Sequence, residues 1–207
     1  MPKLAIIREG LTVHKPALAK VPGGPAMEAA VALILHEPPG GQLEFLLIER
    51  ARSERDPWSG QMAFPGGRYE TTDPDLAATA AREAHEEVGV RLVQTLGRLD
   101  DVTGGRGPDE RIVVASYVYE VAERPVLRTN QEVSSAVWIP LRWILDPQSA
   151  SRYRFEHEEF RGNYPAFRYE HYTVWGLTYR ILQNFVKVVG RSLPSHQGWQ
   201  SGQQEPD

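Results

Sequence analysis

The sequence predicts a layered α+β fold. Three observations lead there: strand-like apolar runs predominate, two main helical segments interrupt them, and Gly/Pro punctuation separates the pieces. Residues 29–36 (AAVALILH) and 43–49 (LEFLLIE) are apolar runs split by EPPGGQ, so they read as a hairpin or paired strands. An arginine-rich loop, Arg50–Gly60, leads to a short strand, Gln61–Phe64, and Pro65-Gly66-Gly67 breaks the chain. Asp73 or Asp75 can cap a helix running from about Leu76 to Val88, which Gly89 stops. Strands follow at Arg91–Leu99, Arg111–Val121 and Glu132–Ile139, with a second hairpin formed by Tyr153–Arg161 and Ala166–Tyr172 around Gly162-Asn163. Val174–Val189 is the other helix, with Leu177, Ile181, Leu182, Phe185 and Val188 on one stripe. One domain is expected over residues 1–191. The tail 192–207 is polar and Gly/Gln/Ser-rich, and is expected to be disordered.

Composition narrows the function classes. The chain has 207 residues, 24% charged and 41% hydrophobic, enough to bury a core. Its net charge of −4 argues against a nucleic-acid polymer or an anionic membrane as the main partner. The absence of cysteine excludes disulfides, thiolate metal sites and thiol nucleophiles. No apolar run approaches the ~20 residues of a membrane span, and the start, MPKLAIIREGLTVHK, lacks a signal peptide's apolar region. A soluble cytoplasmic protein is the expectation.

The densest chemical signal lies at Glu83, Glu86 and Glu87. On a helix their i, i+3, i+4 spacing puts them on one face, where like charges repel. Crowding of this kind is relieved by a hard cation. Ala77, Ala81, Ala84 and Val88 form a narrow stripe of mostly small residues on the same helix, which lets it approach a sheet closely and holds the carboxylates on a rigid element.

These residues carry a resemblance. Gly67–Val90 resembles the Nudix box, G-x5-E-x7-R-E-U-x-E-E-x-G-U with U a bulky apolar residue. Gly67 is followed by Asp73 and then by Arg82-Glu83-Ala84-His85-Glu86-Glu87-Val88-Gly89-Val90. Asp73 replaces the first glutamate, eight residues rather than seven separate it from Arg82, and Ala84 is smaller than usual. The longer gap is similar to the branch that cleaves coenzyme A and its thioesters. That branch also carries L-L-T-x-R-(S/A)-x3-R-x3-G-x3-F-P-G-G upstream. Here Leu46-Leu47-Ile48-Glu49-Arg50-Ala51 precede Arg55, Gly60 and Phe64-Pro65-Gly66-Gly67, with Ile48 in place of threonine and one extra residue before Gly60. The run Tyr172–Ile181 also looks like that branch's last helix.

The resemblance implies a Nudix fold, an α/β/α sandwich with a mixed sheet between helices. It implies hydrolysis of a nucleoside diphosphate derivative with Mg²⁺ or Mn²⁺ held by Glu83, Glu86 and Glu87, with the Gly66 or Gly67 carbonyl as a further ligand. Arg82 would pair with a box carboxylate and fix it. A water-activating base comes from the box or from a distal carboxylate, for which Glu132 is the candidate and Asp100, Asp101 and Glu110 the rivals. Arg50, Arg52, Arg55 and Arg68 surround this region, with Arg50, Arg55 and Arg68 the candidate substrate contacts. Coenzyme A is the favoured substrate, giving 3′,5′-ADP and 4′-phosphopantetheine. ADP-ribose, NADH or a nucleoside triphosphate is the alternative, and a non-catalytic nucleotide-binding module the rival class. Tyr172 and Trp175 are read as core and His85 as surface. The N-terminal segment is a candidate homodimer contact.

Overall fold

A computed structural model of the chain describes residues 3–19, 27–53, 58–104, 111–157 and 160–194. Arg55, Glu110 and the tail from 195 to 207 lie outside the described residues.

The apolar runs make the centre of a mixed sheet. β1 (Met27–His36) lies parallel to β7 (Ile112–Val121) along its whole length, from Met27 opposite Ile112 to His36 opposite Val121. β2 (Glu44–Arg50) meets β1 only at Leu35–Phe45 and His36–Glu44. Further along, β1 pairs instead with β4 (Gly66–Arg68), through Ala29–Arg68, Ala30–Gly67 and Val31–Gly66. The expected break at Gly66-Gly67 is thus itself a strand. β3 (Met62–Ala63) and β8 (Val133–Pro140) flank β2, while β5 (Thr95–Arg98) and β6 (Val102–Gly104) pair with β7.

Side-chain alternation explains why both faces are covered. Ala30, Ala32 and Ile34 turn to one side of β1, and Ala29, Leu33 and Leu35 to the other. The first face receives α2 (Leu76–Val88), and the second receives α1 (Leu4–Val13) and α4 (Gly176–Val188). Also on that side is a three-stranded sheet of β9 (Ala150–His157), β10 (Phe160–Tyr169) and β11 (Tyr172–Trp175). A short α3 (Leu141–Ile144) joins the two sheets. The result is an α/β/α sandwich, as expected.

Several local expectations are corrected. No element was expected before β1, yet α1 buries Leu4, Ile7 and Leu11 at i, i+3 and i+7. Each such side chain contributes about 1.5–3 kcal/mol when fully buried. The stripe of α2 that meets the sheet is Ala80, Ala84, Glu87 and Val88, with Ala77 and Ala81 only half-buried. Gly162 and Asn163 are not a turn. They sit inside β10 opposite Phe155 and Arg154. Helix α4 starts two residues later than periodicity indicates, because Gly176 has a φ of 61° and Tyr172–Trp175 is drawn into strand pairing with β10.

Candidate active site

The glutamates owe their position to well-terminated helix ends. Asp75 caps α2, its side chain accepting the Ala78 N–H at 2.8 Å, and Gly89 ends it with a φ of 74°. Tyr119 ties the helix to the sheet by donating from its hydroxyl to the Ala77 carbonyl at 2.8 Å.

Burial then grades the three carboxylates. Glu86 is half-exposed, Glu83 largely covered, and Glu87 only 2% exposed. Strand β4 passes directly against them. The Gly66 N–H donates to Glu87 Oε2 at 2.9 Å. A Cβ on Gly67 would stand 2.3 Å from Glu83 Oε1, and one on Gly66 would stand 2.4 Å from the Ala30 carbonyl oxygen. The two glycines are therefore demanded by space. Gly66 admits the sheet and Gly67 admits the carboxylate.

Electrostatics reports a cluster short of positive charge. Desolvation pushes Glu87 up to about 7, helped by Glu83 and Glu132 and opposed by the Gly66 N–H and Arg50. Glu83 is raised by burial first, with Glu86 and Glu132 adding to it and Arg82 opposing. Among the described residues no three His, Cys, Asp or Glu side chains stand together as a ready cation cage. Instead Arg82 Nη1 bridges Glu83 at 2.9 Å and Glu86 at 3.2 Å. Desolvated oxygen donors with raised pKa, beside a glycine carbonyl strand, form a donor set suited to a hard divalent ion.

A signed pH dependence follows. Below about 4.5, the ordinary value, Glu87 is protonated in folded and unfolded chains alike. As the pH rises to about 7 the unfolded chain loses this proton first, so folding is progressively destabilised, by about 3 kcal/mol at most. In the ion-free protein, Glu87→Gln is expected to raise stability relative to wild type at pH 8 but not at pH 4.5. Urea unfolding in EDTA at both values checks this; an equal difference at the two pH values refutes it.

Arg82 is the organising cation. Its Nε donates to Asp73 Oδ1 and its Nη2 to Asp73 Oδ2, both at 3.0 Å, while Nη2 also reaches the Arg68 carbonyl at 3.1 Å. Asp73 is buried and additionally accepts from the Thr79 hydroxyl at 2.9 Å and the Glu70 N–H at 3.2 Å. Hydrogen bonding from Arg82 holds its pKa down at about 2. The aspartate in place of the expected glutamate thus braces the arginine that touches Glu83 and Glu86.

The remaining candidates divide by location. Glu132 is exposed and within the electrostatic reach of Glu83 and Glu87. The segment before it is fastened to the end of α2, with the Arg128 N–H on the Val88 carbonyl at 3.0 Å and the Asn130 N–H on the Glu87 carbonyl at 3.1 Å. Its rivals are occupied elsewhere: Asp100 and Asp101 accept from the Ala17 and Ala19 amides and pin the segment after α1. Arg50, at the end of β2, acts on Glu87, and Arg68, at the end of β4, is exposed. Trp175 is buried and Tyr172 half-buried, with the Tyr172 hydroxyl 3.3 Å from Ser135 Oγ; His85 is exposed. Sequence reasoning missed the anchoring of residues 128 and 130, since backbone bonds to a helix end leave no compositional trace.

Gly67→Ala tests this packing. The methyl must displace the Glu83 carboxylate, so activity or metal affinity is expected to fall about 10–100-fold with circular dichroism unchanged. Metal titration of activity checks it.

A mixed sheet sandwiched by helices, with an acidic helix face set against a Gly-Gly strand, defines the class. The NUDIX domain family model matches residues 27–159. The chain belongs to the NUDIX domain family, that of the Nudix hydrolases. It is 32% identical over 169 residues to NudL, an uncharacterized Nudix hydrolase of Enterobacter sp. (strain 638), covering 77% of this chain and 80% of that protein. NudL of Salmonella newport (strain SL254) is 35% identical over 173 residues, covering 79% and 83%. An uncharacterized protein of Schizosaccharomyces pombe is 36% identical over 130 residues, which are 59% of this chain but only 40% of that protein's length. Among solved structures, the NUDIX domain of Shewanella oneidensis NrtR, complexed with ADP ribose, is 22% identical with a TM-score of 0.48, covering 68% of this chain and 85% of that one.

Proposed function

We propose that this chain hydrolyses the diphosphate linkage of coenzyme A or its thioesters, releasing 3′,5′-ADP and 4′-phosphopantetheine. The single observation that supports diphosphate chemistry is the desolvated pair Glu83 and Glu87 against Gly66-Gly67, with Arg82 bridging Glu83 to the more exposed Glu86. Glu83, Glu86, Glu87 and the Gly67 carbonyl would hold Mg²⁺ or Mn²⁺. When bound, such an ion neutralises diphosphate charge and makes water acidic enough to attack phosphorus near neutral pH.

The chain's own residues do the rest. Arg82, braced by Asp73, fixes Glu83 and Glu86. Arg50 and Arg68 contribute positive charge for the phosphate oxygens, with Arg55 from the same loop as a third contact. Glu132 accepts the proton of the attacking water from its place beside the glutamate face. Preference for coenzyme A is supported by the sequence of the Arg50–Gly60 loop.

Assaying coenzyme A, acetyl-coenzyme A, ADP-ribose, NADH and nucleoside triphosphates with Mg²⁺ and with Mn²⁺ tests the proposal. Coenzyme A is expected to give the highest kcat/KM. A preference for ADP-ribose overturns the substrate, and no turnover of any diphosphate overturns the hydrolase. Glu132→Gln is expected to lower kcat about a hundredfold. A near-normal kcat in that variant would move the base into the box.

A further inference from the structure

Strand β8 pairs with β2 along one side and, among the described residues, with no strand along the other. The phase of its ladder fixes which groups that free side presents. The Leu141 N–H donates to the Leu43 carbonyl at 2.8 Å, so Ile139, Val137 and Ser135, in steps of two, direct their backbone at β2. On β2 the Arg50 N–H donates away from β8, to the Gln61 carbonyl at 3.0 Å, as the same phase requires. The N–H and C=O groups of Ala136 and Trp138 therefore point outward, past the sheet.

The side chains show the same opening. Ala136, Val137 and Trp138 are all partly exposed, although Ile48, Leu47 and Leu46 opposite them are fully buried. The three turn to alternating faces, so what they share is the edge. An edge strand left to solvent is ordinarily guarded by a charge, a proline or a bulge. Val133–Pro140 has no charged residue. Its bulge, at Ser134, and its proline stand at the two ends, which leaves Ser135–Ile139 unguarded.

We propose that this edge pairs antiparallel with the same edge of a second copy, about a twofold axis at Val137. In that register Ala136 exchanges both backbone hydrogen bonds with the partner's Trp138, and Trp138 with the partner's Ala136. Each indole then stands beside a methyl group on the α2 side, large against small, and the two Val137 side chains meet on the other side. Glu132 and Arg142, both exposed, flank the strand at opposite ends. Antiparallel pairing brings these unlike charges together, whereas parallel pairing would bring like ones together.

The chain has no cysteine, which makes the register directly testable. Val137→Cys places one thiol of each copy at the axis, in a non-hydrogen-bonded pair with Cα atoms about 4.5 Å apart, within reach of a disulfide. After mild oxidation the full chain is expected to run as a covalent dimer on a non-reducing gel. Ala136→Cys, opposite an indole, is expected to run as a monomer. In sedimentation velocity, wild type is expected to dimerise reversibly. Ser134→Lys, which adds a charge at an exposed position of the edge, is expected to weaken the dimer about tenfold with circular dichroism unchanged. A wild type that stays monomeric overturns the proposal, as does equal crosslinking of the two cysteine variants. A dimer indifferent to Ser134→Lys but lost in Ile6→Lys, at an exposed position of α1, overturns it too and moves the contact to the N-terminal segment.

Discussion

Glu83→Gln is expected to lower kcat by about a thousandfold, close to 4 kcal/mol of transition-state stabilisation. The amide keeps the shape that fits over Gly67 but carries no charge for a cation. It also halves the anionic support that Arg82 Nη1 receives from Glu83 and Glu86. The fold should not suffer. Glu83 is already raised by burial, so neutralising it relieves a desolvation penalty. Steady-state kinetics with Mn²⁺, paired with thermal unfolding in EDTA, separates the two effects. A variant with near-normal kcat would remove Glu83 from the reaction, and one that unfolds would make its role structural. Glu86→Gln should also lower kcat by orders of magnitude without loss of stability, its carboxylate being half-exposed.

Asp73→Ala is expected to act on stability first. It deletes a carboxylate that accepts twice from Arg82 and once each from Thr79 and Glu70, leaving a covered guanidinium short of its main partner. Removing one member of a covered ion pair costs about 3–5 kcal/mol, and the closeness of surface water places this case at the low end. The pH dependence has a definite sign. The pKa is depressed from 3.8 to about 2, so the stabilisation is complete above pH 3.8 and is lost as the pH falls toward 2. Denaturant unfolding of wild type and variant should therefore differ at pH 7 and converge near pH 2. Asp73→Asn, which keeps one acceptor, should lie between them. A constant difference down to pH 2 would show that the ion pair contributes nothing.

What was legible in the sequence is what local rules govern. Helix α2 begins and ends where Asp75 and Gly89 place it, because capping and left-handed geometry act over three or four residues. The glutamate face is legible for the same reason: its spacing is a property of the helix. Non-local choices were not legible. Which stripe of α2 meets the sheet was misassigned because Ala77 and Ala81 resemble Ala80 and Ala84, and only the sheet distinguishes them. Gly66-Gly67 reads as punctuation, since glycine signals a turn unless something crowds it; here Ala30 and Glu83 do. Gly162 misled similarly, being paired opposite Phe155 rather than turning the chain. Helix α1 was missed because its three anchors become informative only once β5 and α4 provide a surface for them.

The backbone bonds from Arg128 and Asn130 to the last turn of α2 carry one more consequence. They make the acidic helix and the segment leading to Glu132 a single mechanical piece. Ala51, whose amide donates to the Glu132 carbonyl at 2.8 Å, ties the start of the arginine loop to the same piece. The acidic face, the approach to Glu132 and the start of that loop would then shift as one frame, with the carboxylates held at fixed spacing.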